Sequence, residues 1–289
     1  MNSESKSNET VKSIFKASLV GILAVVFTVI PFEQFFGISF AEFGGGMPTA
    51  YLVPLFLIYV AMALVLAKMK ENLYVSKRGA FFIIFAFHYC IVSLLPTLEG
   101  KIYLPDFPFF QTLVSEFILA LAVVSLIFYL WKQEDNPEAK AGQQIKSYFS
   151  SRSVLSWVWR FLLVWLLFYI LTMVFGIVAY PFEQPYLDDP MNTLGMVIPS
   201  MGTLFAITQF RSLIYILVTL PFIIFWKSSK KELFLYLALI NVIQYPLLGD
   251  GLAYFWPMMY RLVDGIVLAM QVTIISWLYV TILWKGKKT

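Results

Sequence analysis

Residues 161–184 read FLLVWLLFYILTMVFGIVAYPFEQ, and no charged side chain occurs before Glu183. About 20 apolar residues at a rise of 1.5 Å cross the roughly 30 Å of hydrocarbon in a bilayer. The run is continuous, whereas a barrel strand would alternate, so it predicts a transmembrane helix. Working outward, this helix extends over 154–180 and seven similar stretches flank it, at 14–36, 49–67, 79–97, 108–131, 205–226, 232–249 and 257–284. Composition agrees: the 289 residues are 60% hydrophobic and 13% charged, against roughly 25% charged in a soluble domain. The first stretch follows the polar start MNSESKSNETVKSIFK and has no small-residue cleavage site after it. It therefore reads as a first helix and not as a signal peptide.

The basic residues set an orientation. All of the 21 Lys and Arg except Lys101, Arg160, Arg211 and Arg261 fall in the N-terminus, in the connections after helices 2, 4 and 6, or in the tail. Basic residues beside span ends mark the cytoplasmic side, so both termini are expected there, in a multi-pass protein of a prokaryotic cell membrane. This topology accounts for the basic clusters without a nucleic-acid partner. Arg160, near the inner end of helix 5, is expected to snorkel to the cytoplasm.

The PFEQ that closes the quoted stretch also stands at 31–34. Register gives the recurrence meaning. Each copy ends the first helix of a set of four, Pro96 and Pro246 close the third, and Trp131-Lys132 and Trp284-Lys285 end both sets. LVSEFILAL at 113–121 also aligns with LVDGIVLAM at 262–270. The expected fold is thus an all-α integral membrane protein with eight transmembrane helices, arranged as two four-helix repeats, 1–132 and 154–289. The polar residues 133–153 form a cytoplasmic linker. Four crossings return the chain to its starting side, so the repeats are parallel, related by an axis along the membrane normal.

Glu33 and Glu183 sit by helix C-termini, where the helix dipole disfavours negative charge by about 0.3–1 kcal/mol. Either they satisfy nearby loop donors or they line a polar site on the outer face. Charges within spans are costly and usually face a bundle interior or cavity. Here these are Glu116, Arg211, Arg261 and Asp264, the last two sharing a helix face at i, i+3. Asn241, Gln244 and Gln271 add amides. Most fall in the outer half, so the candidate binding set is Glu33, Glu183, Glu116, Arg211, Arg261, Asp264 and Gln244. His88, the single histidine, reads as a neutral hydrogen-bonded group. Cys90, the single cysteine, reads as a buried thiol. No metal site is expected, and no pattern specifies a cofactor. GxSxG, HExxH and CxxC motifs are absent, and the glycines of EFGGGMP (42–48) lack the GK[ST] of a phosphate loop.

The leading functional expectation is binding or transport of a small polar or cationic solute through an outward-facing pocket between the repeats. Alternatives are a non-catalytic partner, sensor or assembly subunit of a membrane complex, and a membrane enzyme acting on a lipid-linked substrate. The absence of obvious Gly/Pro-broken helices in mid-span counts against transport.

Overall fold

A computed structural model describes residues 3–35, 49–104, 107–132, 140–187, 197, 199–249 and 257–285. They form α1 (Ser3–Phe35), α2 (Thr49–Glu71), α3 (Lys77–His88), a first π-turn (Tyr89–Leu94), α4 (Leu95–Tyr103), α5 (Phe109–Leu130) and α6 (Ala141–Phe149). There follow α7 (Val154–Leu187), α8 (Met201–Phe225), α9 (Lys230–Val242), a second π-turn (Ile243–Leu247) and α10 (Met258–Leu283). The 42–48 loop, residues 133–139 of the linker and residues 250–256 lie outside the described residues.

Among the described residues, seven helices are long and apolar enough to cross a membrane. Helices suit that role because each satisfies its own backbone hydrogen bonds where no water is available. The remaining apolar stretch, α9 with the second π-turn, opens on Lys230, Lys231 and Glu232 and is not among the seven. One apolar core unites the bundle. Leu155, Leu162, Leu166, Ile170 and Ile177 of α7 face outward, as a lipid-covered helix requires.

α1 packs on α2 and α5, and α7 packs on α8 and α10. The contact of α1 with α2 is close: a Cβ added at Gly21 would come within 2.8 Å of the Phe56 ring. Small residues allow such approaches, which dispersion rather than hydrophobicity drives in lipid. Between the sets, α2 packs on α9 and the second π-turn, α8 packs on α3 and the first π-turn, and the two π-turns touch.

After α2 and after α8 the backbone follows the same path. Leu73 and Trp226 form an antiparallel bridge. Tyr74 N–H donates to the Phe225 carbonyl at 2.8 Å, and Lys227 N–H to the Asn72 carbonyl at 2.9 Å. Three residues after each bridge partner a serine caps the next helix. Ser76 Oγ accepts from Gly79 N–H, and Ser229 Oγ accepts from Glu232 N–H in a reciprocal capping box. Farther on, Leu95 N–H donates to the Cys90 carbonyl and Leu248 N–H to the Ile243 carbonyl, five residues back in each case. Trp131 and Trp284 then end α5 and α10. One offset of 153 residues relates every one of these pairs.

One expectation, the helix end at Pro96, is corrected. Pro96 does not close the third helix, because the chain continues helically to Tyr103. Proline lacks an N–H, which the first turn of a helix does not need, and Pro96 lies in the first turn of α4. Each third helix also carries a π-turn, and only the second of these contains a proline, Pro246. The linker is docked. Its helix α6 packs on α8, Gln144 Nε2 donates to the Tyr74 carbonyl at 3.0 Å, and the buried Tyr148 hydroxyl donates to the Leu283 carbonyl at 2.7 Å. Burial pushes the Tyr148 phenol up, which keeps that donor protonated.

Cations gather where these helices end. Arg152 and Arg160 donate to the Trp284 and Ile282 carbonyls at 2.9 and 2.6 Å, and the buried Lys70 donates to the Trp131 carbonyl. The final carbonyls of a helix lack intrahelical donors and carry the negative end of its dipole. Arg160 therefore caps α10 where simple snorkelling was expected. This end of the bundle is called the basic end below, and the PFEQ end the far end.

Candidate functional site

At the far end, Arg211 lies in the third turn of α8. Helical side chains lean toward their helix N-terminus, and in α8 that direction leads to the far end. The guanidinium Nη1 pairs with the Glu99 carboxylate of α4. Nη2 donates to the Tyr245 hydroxyl at 2.6 Å, and that hydroxyl donates to Glu99 Oε2 at 2.5 Å. The result is a closed triangle of charge-assisted bonds, roughly twice as strong as neutral ones. The Arg211 and Glu99 side chains keep only 11% and 19% of their exposure. The Phe168 ring adds a face 5.9 Å from the guanidinium.

Tyr103, at the end of α4, lies within electrostatic reach of Glu99, Arg211, Asp264 and Glu183. Three of these charges, Arg211, Asp264 and Glu183, belong to expected site residues. The neighbouring charge acting on Glu183 is another acid, Asp264. Glu183 Oε1 is buried and accepts no hydrogen bond. Its motif lies in the last turns of α7, which runs through Pro181 and Pro185 to Leu187. The matching motif lies in the last turns of α1, and the side chain of Glu33 falls outside the described residues.

The other candidates make the following contacts. The Arg261 guanidinium lies 5.6 Å from the Tyr51 ring centroid, so α10 meets the start of α2 there. Gln244 is buried in the second π-turn and pairs with His88 Nδ1 at 3.0 Å, across from α9 to α3. The histidine is thus hydrogen-bonded, as expected. Asn241 bonds Ser276 at 3.1 Å, and Gln271 bonds Thr172 at 2.8 Å. Glu116 meets Ser93 of the first π-turn at 3.3 Å.

Glu99 and Tyr245 were not among the expected site residues. Ending the third helix at Pro96 placed Glu99 in a loop. The available signal was Arg211 itself, since a cation within a span calls for an acid partner. No cluster of three or more potential metal ligands occurs among the described residues. The chain matches no protein-family model, no curated protein and no solved structure, so the functional reading rests on its own residues.

Proposed function

We propose that the protein is an eight-span membrane protein of two parallel four-helix repeats that binds or passes a small polar or cationic solute at its far end. In this reading 1–132 and 154–289 are the repeats, 133–153 is the linker, the basic end faces the cytoplasm, and the membrane is a prokaryotic cell membrane. The constant 153-residue offset of the bridge, caps, π-turns and terminal tryptophans supports the repeat. A symmetric bridge between equivalent residues is what an axis along the membrane normal would produce.

One observation carries the solute reading. Glu183 has a buried oxygen that accepts no hydrogen bond, while Arg211 is engaged by Glu99. A cation reaching Glu183 would give that oxygen the partner it lacks. The paired π-turns suit a moving bundle, because such insertions often mark functional sites.

The test is uptake of radiolabelled methylammonium by proteoliposomes. Saturable uptake that is lost in Glu183→Gln and Asp264→Asn, with unchanged melting, supports the reading. Uptake no greater than in protein-free vesicles refutes solute passage for this cation class. Such a result, with a stable complex recovered from native membranes, would favour the assembly-subunit alternative.

A further inference from the structure

We propose that Arg211 is a latch that holds the two four-helix units together at the far end, and that the paired backbone of residues 72–74 and 225–227 is the pivot about which they part. The inference rests on the two-unit reading above and adds to it the means by which the solute site would open.

The latch joins the units through side chains. Glu99 belongs to α4 of the first unit, whereas Arg211 and Tyr245 belong to α8 and the second π-turn of the other. Every bond in the triangle that crosses between units ends on Glu99. Arg211 and Tyr245 bond each other within the second unit. Releasing one carboxylate therefore severs all of these cross-links at once.

The pivot is held by backbone alone, whereas at the far end one backbone bond, Val197 N–H to the Tyr103 carbonyl at 2.8 Å, accompanies the latch. The pivot's cross-unit bonds are backbone N–H to carbonyl, at 2.8 and 2.9 Å, and they surround a bridge whose side chains, Leu73 and Trp226, are buried. Two backbone bonds and two buried side chains would have to be given up together to part the units at this end. The linker reinforces this end, because Gln144 bonds Tyr74 and α6 packs on α8.

Between latch and pivot the units meet along α2, α3, α8, α9 and the two touching π-turns. The latch flanks those turns: Glu99 stands five residues beyond the first, and Tyr245 lies within the second. Register in a π-turn can shift while the backbone stays bonded, which allows the far segments to tilt without breaking the helix. The charges of Glu183 and Asp264 act on Tyr103, as do those of Glu99 and Arg211. A cation approaching Glu183 and Asp264 would also compete with Arg211 for Glu99, so occupancy and opening would be linked.

The test is a pair of spin-label distance measurements in nanodiscs, on a Cys90→Ser background. One pair of labels replaces the exposed Gln111 and Met201 at the far end. The other replaces the exposed Arg78 and Lys231 at the basic end. Arg211→Gln is expected to add a population at longer far-end distance and to leave the basic-end distance unchanged. Glu99→Gln, a milder change, should do the same. The exchange Glu99→Arg with Arg211→Glu should restore the short far-end distance.

An unchanged far-end distance in both single variants would overturn the latch. So would widening at both ends, which would mean general loosening. If the far end opens in the variants while the wild type takes up no methylammonium, the latch stands and the solute reading fails. If Glu183-dependent uptake is present and the far end never widens, the solute reading stands and the latch fails.

Discussion

Leu73 and Trp226 pair across an antiparallel bridge, and each stands three residues ahead of a serine that caps the next helix. Two connections at one end of the bundle are thus built alike and joined to each other by backbone. Because the bonds use N–H and carbonyl groups, the joint does not depend on which side chains the two segments carry.

The two caps should contribute alike. Ser76→Ala and Ser229→Ala are each expected to cost about 1 kcal/mol, the usual value of a lost N-cap. Thermal unfolding in detergent should show similar reductions in melting temperature. A cost at Ser229 alone would argue against equivalent roles.

Breaking the latch should destabilise more than removing it. Arg211→Met leaves the Glu99 carboxylate buried without its cation, a loss of about 3–5 kcal/mol. Adding Glu99→Leu removes the orphaned charge and should recover much of that. A double-mutant cycle by chemical unfolding checks both; additive costs would mean the two residues do not act together.

In mid-bundle, Gln244→Leu deprives His88 Nδ1 of its partner. An unpaired buried polar group costs about 1–3 kcal/mol. Gln244→Leu with His88→Leu should be less damaging than the single change, as judged by melting temperature.

Topology is checked by labelling single cysteines in intact cells with an impermeant thiol reagent. Gln111→Cys should react from outside, and Gln143→Cys only after the cells are opened. The reverse pattern would invert the proposed orientation.

For the solute site, Glu183→Gln should lower methylammonium affinity by about tenfold, equivalent to ~1.4 kcal/mol, without lowering the melting temperature. Loss of folding in place of affinity would assign Glu183 a structural role.

Much of this protein was legible in its residues. A run such as 161–182 has one favourable disposition, a helix in lipid, because its side chains reject water and its backbone must bond to itself. The basic clusters, the PFEQ register and the twin terminal tryptophans could likewise be read along the chain. Tertiary structure decided which residues meet. Glu99 looked like part of a loop until helix resumed at Leu95 and carried it to Arg211, 112 residues away. That the linker's Tyr148 would reach the Leu283 carbonyl of α10 could not be read along the chain. Hydropathy is a property of each segment against a common solvent and can be read locally. A buried charge or an open carbonyl is satisfied by whichever group the packing brings to it, and that choice exists only once the helices are assembled.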